Sequence, residues 1–201
     1  VREVTEASSE LGIKYLTLYA FSTENWSRPK AEVDALMTLF VSTINSEIKQ
    51  LAENNVRLKF IGCTDQLPKK VQKNINESLA KTSHCTGLTL VLALSYSARW
   101  EILEAVKKVA TQVKEGTLDV ADINIAEMDA HLTTAGMPDP ELLIRTSGEQ
   151  RISNFLLWQL AYSELCFSEV LWPDFKKEDF YKAIYAYQNR ERRFGLTSEQ
   201  I

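Results

Sequence analysis

The chain has 201 residues, of which 45% are hydrophobic and 25% are charged, and its formal net charge is −4. This composition is typical of a globular protein, and the length suffices for one full-sized core, so we expect a single domain over residues 1–201. The negative charge does not favour nucleic acid or an anionic membrane surface as a partner. The sequence contains no apolar run of the roughly 20 residues that a membrane-spanning helix needs.

The cysteines and histidines do not predict a zinc centre. Cys63, Cys85 and Cys166 are an odd number without CxxC spacing, which indicates isolated reduced thiols in a cytoplasmic protein. His84 and His131 have no partner at a ligand-like spacing, apart from the neighbouring Cys85. Metal chemistry in this chain is therefore expected to depend on carboxylates.

The predicted elements alternate between helices and strands. Residues 1–11 resemble the end of an amphipathic helix, and strands are predicted at residues 13–20, 56–62, 88–94, 142–146 and 166–171. Helices are predicted at residues 31–54, 67–82 and 176–192. A further helix is predicted to open within residues 95–100 and to end at about residue 115, and residues 116–134 have weaker helical character. This alternation predicts an α/β fold with an open, mostly parallel central sheet flanked by helices on both faces.

The helix at residues 31–54 has an unusually broad apolar stripe. Eight apolar positions form it: Val33, Leu36, Met37, Phe40, Val41, Ile44, Ile48 and Leu51. The stripe is wider than a helix resting on one sheet face requires, so two apolar neighbours are implied. A well-covered core helix is the favoured interpretation of the pattern alone, and a second face that lines an apolar channel is the alternative.

Two polar segments follow predicted strands. Residues 22–28 come after the first strand and residues 145–153 after the fourth, and residues 95–99 are placed similarly after the third. Parallel α/β sheets bind ligands beyond the carboxyl ends of their strands. We therefore expect these segments to meet in one crevice.

Residues 145–153 have the features of an anion site. Arg145 and Arg151 flank a glycine-containing loop, and Ser153 is predicted to cap a helix that runs through residues 156–161. Arginine forks and the free N–H groups of a helix start both attract phosphate oxygens. Glu149 and Glu164 supply oxygens suited to Mg²⁺ held by a pyrophosphate, although Glu149 could equally be a salt-bridge partner of the arginines.

Other polar side chains extend this predicted pocket. The hydroxyls of Ser22 and Ser153 and the guanidinium of Arg28 complete a pocket for one or two pyrophosphates. The sequence contains neither GxxxxGK[ST] nor GxGxxG, so nucleotide binding has little support.

Four sequence blocks resemble one known family. Residues 145–159, RTSGEQRISNFLLWQ, closely resemble the signature of the cis-prenyltransferases, specifically the bacterial undecaprenyl pyrophosphate synthases. Residues 21–29 (FSTENWSRP), 171–175 (LWPDF) and 189–195 (NRERRFG) resemble further blocks of that family in the same order. The resemblance thus covers most of the chain, and it strengthens the interpretation of helix 31–54 as the wall of an apolar tunnel.

The resemblance implies a reaction and its components. The family condenses isopentenyl pyrophosphate units in cis onto farnesyl pyrophosphate and makes undecaprenyl pyrophosphate, the lipid carrier for cell-wall glycan synthesis. It implies Mg²⁺ as cofactor, a homodimer, and a cytoplasmic protein at the inner face of the membrane, which receives the product. A non-catalytic partner subunit is the alternative, but such a subunit would be expected to lose pocket residues that this chain retains.

The resemblance also assigns residues. Arg145, Arg151 and Ser153 would hold the isopentenyl pyrophosphate, with Ile152 between them, and Glu164 would be the magnesium ligand. Five residues match positions that contact substrate: Ser22, Thr23, Glu24, Trp26 and Arg28. Asn25 matches the position of the proton acceptor. Because a carboxamide is a very weak base, we expect Asn25 to orient the substrate while a pyrophosphate oxygen, water or Glu24 takes the proton.

The chain departs from the family at its start. The family's block Asp-Gly-Asn-Gly-Arg-Trp-Ala would precede Val1 and is not part of these 201 residues. With it the first strand and a magnesium-carrying aspartate would be missing, so this segment alone is expected to be inactive.

Overall fold

The computed structural model describes residues 1–200, which form two compact units. One unit comprises residues 12–137, and the other comprises residues 1–11 together with the chain from residue 138 onward. The regular elements in chain order are α1 (Arg2–Glu10), β1 (Tyr15–Ser22), α2 (Lys30–Glu53), β2 (Arg57–Ile61), α3 (Lys69–Thr82), β3 (Thr89–Tyr96), α4 (Ala98–Lys114), α5 (Ile125–His131), β4 (Leu142–Arg145), β5 (Glu164–Phe167) and α6 (Lys177–Gln188).

The unit of residues 12–137 is built on a parallel sheet in the order β1-β3-β2. The central strand β3 is buried from Leu90 onward, as its continuous apolar run predicts for a strand covered on both faces. Leu90, Leu92 and Leu94 belong to the two apolar clusters that include α2, and the alternate residues Val91 and Ala93 are fully buried. The α/β fold class with parallel strands is thus confirmed.

Helix α2 divides its apolar stripe between two clusters. Val33, Met37 and Val41 pack with α3 and with Phe21. Ile44 and Ile48 pack against residues of β2 and β3. Each such buried side chain contributes about 1.5–3 kcal/mol, and the pattern is that of a well-covered core helix. An apolar tunnel along α2 stays a prediction.

The other unit contains a two-stranded parallel sheet, in which Leu142 pairs with Glu164 and Arg145 with Phe167. Helices α1 and α6 pack against each other there. Lys177 pairs with Glu10, and the Tyr181 hydroxyl donates a hydrogen bond to Glu10 Oε2 at 2.9 Å. The predicted strand at 166–171 lies a few residues earlier, at β5, and the predicted final helix is shorter, at α6.

The prediction of a helix that begins at Ser153 is wrong. Ser153, Asn154 and Leu156 have left-handed φ angles of 50°, 61° and 47°, which an α-helix does not accommodate. The segment forms irregular turns that bury Phe155, Leu156 and Gln159 and leave Leu157 and Ala161 exposed. The spacing 156, 157, 160, 161 therefore does not mark a buried helix face, and no helix dipole acts at Ser153.

Candidate active site

The segment after β1 is a short 3-10 helix, Thr23–Ser27, that is fixed by its own polar side chains. The Ser22 N–H donates a hydrogen bond to Asn25 Oδ1 at 2.9 Å, so the amide oxygen of Asn25 caps the turn. The Thr23 hydroxyl donates to Glu24 Oε2 at 3.2 Å. The structure thus gives Asn25 an orienting role in the loop, in keeping with its weak basicity.

Arg28 and Trp26 differ in how firmly they are held. Arg28 is exposed and pairs with Glu32, in the first turn of α2, at 2.9 Å. Trp26 is half-buried, with its ring edge-to-face against Phe21 at 5.0 Å. Its indole Nε1–H donates a hydrogen bond to the Ser95 hydroxyl at 2.9 Å. Trp26 therefore belongs to the fixed part of the loop, whereas Arg28 has a salt-bridge partner that an anion could replace.

Tyr19 lies in β1, three residues before Ser22, and the sequence analysis did not single it out. Its hydroxyl donates to the backbone oxygen of Tyr96 at 3.0 Å. Burial and, to a smaller extent, the charge of Glu24 raise the pKa of Tyr19 to about 12, and a hydrogen bond with Ser22 opposes part of the shift. Tyr19 is therefore a protonated donor at neutral pH, close to two of the predicted site residues.

Arg145, at the end of β4, has a buried guanidinium nitrogen without a partner. Its side chain is half-buried. The Nε atom is shielded from solvent and makes no hydrogen bond within residues 1–200. An unsatisfied buried donor costs about 1–3 kcal/mol. An anionic oxygen at this nitrogen would recover that cost, so Arg145 is suited to bind a phosphate group.

The loop that follows Arg145 is tied to the chain after β5. The N–H groups of Ser147 and Gly148 donate to the backbone oxygens of Val170 and Ser168 at 2.8 and 2.9 Å. Gly148 has a φ of +66°, and a Cβ there would lie 2.5 Å from Glu169 Oε2. Glycine is thus favoured by the backbone angle, whereas the exposed side chain of Glu169 could move away from a Cβ.

Arg151 ends the same loop and pairs with Glu149, with both side chains partly exposed. This is the salt-bridge role that the sequence left open for Glu149. Ile152 is half-buried, and Ser153 is exposed directly after it. The loop therefore presents two guanidinium groups, Arg145 and Arg151, and a serine hydroxyl within nine residues, although without the predicted helix start.

Glu164 begins β5 and pairs with Arg190, whose NH1 lies 2.7 Å from Glu164 Oε2. Arg190 also donates to the Leu165 backbone oxygen at 2.9 Å. Since Glu164 pairs with Leu142 and Phe167 with Arg145, Glu164 and Arg145 are three residue steps apart along the sheet, roughly 10 Å. The sequence did not predict the Arg190 partner, because the two residues are 26 positions apart.

The carboxylates fit a magnesium ion only if a substrate brings most of its ligands. Residues 1–200 contain no group of three or more histidine, cysteine, aspartate or glutamate side chains placed to hold a metal. Magnesium commonly uses one or two carboxylates together with phosphate oxygens and water. Glu164 can serve in such a set, with a pyrophosphate as the main ligand.

Comparison with known proteins then decides the family. The family model described as "Putative undecaprenyl diphosphate synthase" matches residues 1–195. The chain belongs to this prenyltransferase family. It is 52% identical to an isoprenyl transferase of Chlorobaculum tepidum, over the whole of this chain and 76% of that protein. It is 53% identical to the ditrans,polycis-undecaprenyl-diphosphate synthase ((2E,6E)-farnesyl-diphosphate specific) of Haemophilus ducreyi, over 97% of this chain and 81% of that one.

Solved structures of family members have the same fold. Lavandulyl diphosphate synthase from Lavandula x intermedia, in complex with dimethylallyl diphosphate, is 37% identical with a TM-score of 0.94, covering 96% of this chain and 84% of its own. A Campylobacter jejuni protein described as "a probable undecaprenyl diphosphate synthase" is 39% identical with a TM-score of 0.85, covering 96% and 89%. The resemblance seen in the sequence and the expectation of a prenyl-transferring enzyme are confirmed. No helix within residues 1–200 is long and apolar enough to cross a membrane.

Proposed function

We propose that this protein elongates a prenyl chain by condensing isopentenyl pyrophosphate in cis onto farnesyl pyrophosphate, and that its product is undecaprenyl pyrophosphate, a carrier for cell-wall glycans. The relatives from Haemophilus ducreyi and Micrococcus luteus, whose names specify farnesyl diphosphate and the undecaprenyl product, are 53% and 52% identical over 97% of this chain. In the structure, the observation that carries the proposal is the buried, unpartnered Nε of Arg145.

In this reaction a carbon–carbon bond forms between the allylic carbon and the isopentenyl double bond. The allylic carbon–oxygen bond breaks, pyrophosphate leaves with the electron pair, and the new chain loses a proton. Arg145 and Arg151 bind the pyrophosphate of the isopentenyl substrate with the Ser153 hydroxyl, and Ile152 lies between these polar groups. For Arg151 this means exchanging its Glu149 partner for substrate oxygens, at little cost because the pair is partly exposed.

Residues of the 3-10 helix contact the allylic substrate. Ser22, Thr23, Glu24, Trp26 and Arg28 form this group. Asn25 holds the loop conformation through Ser22, and the proton passes to a pyrophosphate oxygen, to water or to Glu24. When Mg²⁺ is bound, it neutralises charge on the leaving pyrophosphate, and Glu164 would be its protein ligand.

We also propose that the protein works as a homodimer in the cytoplasm, at the inner face of the membrane where its lipid product is used. Support comes from exposed aromatic residues in the unit that contains β4 and β5. Tyr162 is 66% exposed, Tyr185 70% and Phe194 55%, and Leu165 and Phe167 point outward from β5. Exposed apolar groups of this kind are typical of interfaces. Light scattering of the purified protein tests the dimer, and a monomeric mass would contradict it.

The reaction is tested by incubating the full-length protein with farnesyl pyrophosphate, labelled isopentenyl pyrophosphate and Mg²⁺. We expect labelled prenyl pyrophosphate whose mass corresponds to the undecaprenyl chain. Arg145→Ala should raise the KM for isopentenyl pyrophosphate by about 10- to 100-fold, since a charge-assisted hydrogen bond contributes about 1.5–3 kcal/mol. Arg57→Ala is the matched control, because Arg57 is an exposed arginine of β2 that donates to the Ser83 backbone oxygen. Absence of label in the product, or equal KM values for both variants, would contradict the proposal.

A further inference from the structure

Ser95 lies at an irregularity where β3 ends beside β1. Along these strands Tyr19 pairs with Ala93, Phe21 with Leu94, and Ser22 with Tyr96, so Ser95 is an extra residue between two paired ones. Its φ is +49°, in the left-handed region that serine seldom adopts. This arrangement is a β-bulge, a feature that turns a side chain away from its regular direction and is frequent beside active sites.

The bulge is held from several directions. The backbone oxygen of Ser95 accepts the Cys63 N–H at 3.1 Å, and Ser95 has no exposed surface. The next residue, Tyr96, accepts the Tyr19 hydroxyl on its backbone oxygen and donates its own hydroxyl to Glu101 at 2.6 Å. A non-glycine residue keeps a left-handed backbone only where its surroundings enforce it, and strain of this kind concentrates at functional sites.

The side chain of Ser95 is directed at the predicted substrate loop. Its hydroxyl accepts the Trp26 indole N–H at 2.9 Å across 69 positions of sequence. Phe21 fixes the ring of Trp26 from another side, at a centroid distance of 5.0 Å. Between them, the bulge and Phe21 set both the position and the rotation of the indole.

We propose that Ser95 is a positioning residue, which holds Trp26 in the orientation that meets the allylic substrate. The inference rests on the proposed function, because there Trp26 is a substrate contact. The left-handed bulge is needed for this task, since a regular strand would leave position 95 as one more member of the β1–β3 ladder, without the displacement that brings its hydroxyl to the indole.

The test is a double-mutant cycle of Ser95→Ala and Trp26→Phe. Ser95→Ala removes the acceptor and keeps a side chain of similar size at the same backbone angle, and Trp26→Phe keeps an aromatic ring but removes the donor. We expect Ser95→Ala to raise the Kd and KM for farnesyl pyrophosphate by about 2- to 12-fold with less than a twofold change in kcat, as the loss of one net hydrogen bond predicts. Trp26→Phe also alters a substrate contact and should raise both at least as much. The double variant should resemble Trp26→Phe. Additive effects in the double variant would overturn the proposal.

Two further measurements separate positioning from stability. The chain has four tryptophans, so the emission of Trp26 must be isolated by subtraction. Subtracting Trp26→Phe from the wild type gives Trp26 in the wild type, and subtracting the double variant from Ser95→Ala gives Trp26 without its acceptor. We expect the two emission spectra to differ. Ser95→Gly, which accepts the positive φ without strain, should show the same KM increase as Ser95→Ala although it relieves the backbone. Unchanged Trp26 emission, or a wild-type KM in Ser95→Gly, would refute the role of the hydroxyl.

Ser78→Ala is the matched control, because Ser78 is a buried serine of α3 whose hydroxyl donates to the backbone oxygen of Asn74. It should leave the emission and the KM unchanged, and a KM increase equal to that of Ser95→Ala would overturn the proposal. Emission and binding are measured without turnover. A failure of the proposed reaction would therefore appear in the labelled-product assay, separately from the outcome for Ser95.

Discussion

Glu101 is a carboxyl group in the first turn of α4 with 1% of its surface exposed. It accepts three hydrogen bonds: from the Tyr96 hydroxyl at 2.6 Å, from the Thr133 N–H at 2.9 Å and from the Thr133 hydroxyl at 2.5 Å. It thereby joins the end of β3 to the segment after α5. Replacing Glu101 by alanine would remove both acceptor oxygens and these three hydrogen bonds at once.

The expected cost follows from the groups that lose their partner. Tyr96 is fully buried, so its hydroxyl would keep no compensating contact with water, and the half-buried Thr133 N–H would be partly unsatisfied. At about 1–3 kcal/mol for each stranded donor, Glu101→Ala should lower the free energy of unfolding by about 2–5 kcal/mol. Glu101→Gln keeps one acceptor and should cost about 1–2 kcal/mol, because its NH₂ group faces a donor.

Urea unfolding of each variant measures this difference, and amide hydrogen exchange at Thr133 measures it locally. The control is Glu104→Ala, which removes a partly exposed salt bridge with Lys107 and should change stability by less than about 0.5 kcal/mol. Thr133 should lose its exchange protection in Glu101→Ala alone. If Glu101→Ala and Glu104→Ala were equally stable, or Thr133 stayed protected in both, the reasoning from buried hydrogen bonds would be refuted.

Three more predictions concern other parts of the molecule. Arg151→Ala should raise the KM for isopentenyl pyrophosphate less than Arg145→Ala does, because Arg151 is more exposed, and steady-state kinetics would show a reversed order if this were wrong. Gly62→Ala should destabilise by more than about 2 kcal/mol in thermal unfolding, since a Cβ would collide with the Leu94 carbonyl oxygen at a φ of +106°. Gly116→Ala, with open space and a φ of +72°, should cost only about 1 kcal/mol, and equal losses would contradict the collision. Because the pKa of Tyr19 is raised from 10.0 to about 12, its contribution to stability is complete below pH 10 and is lost as the pH rises toward 12. In Tyr19→Phe the free energy of unfolding should therefore fall less between pH 10 and pH 12. The same fall in both proteins would contradict the raised pKa of Tyr19.

The elements that the sequence predicted well are those whose pattern is locally repeated. Helix α2 was expected at residues 31–54 and forms at Lys30–Glu53, because its apolar side chains recur at helical spacing. β3 was expected from an unbroken apolar run and is buried almost throughout. The prediction of a helix after Ser153 was wrong because three residues there have left-handed backbone angles. The spacing of apolar side chains carries no information about such angles.

The candidate site divides in the same way. Residue type and the family blocks pointed to Arg145, Arg151 and Asn25, but not to their partners. Asn25 caps its own turn, and Arg151 forms a salt bridge with Glu149. The pairing of Glu164 with Arg190 was missed as well, although Arg190 lies within a recognised block and Glu164 was assigned as a magnesium ligand. A list of polar residues gives the available chemistry and leaves open which of these groups are already satisfied.

By itself the sequence determined the α/β class and the family, and it supplied the candidate residues for a pyrophosphate site, because hydrophobic periodicity and short motifs depend on residues that are close together in the chain. Only the tertiary structure decided that Ser95 meets Trp26 across 69 positions and that Glu101 meets Thr133 across 32. Such contacts depend on where strands end, where a bulge shifts the register and which buried donor needs an acceptor. The free energy of satisfying each buried polar group is shared among distant residues, so no single stretch of the chain specifies it.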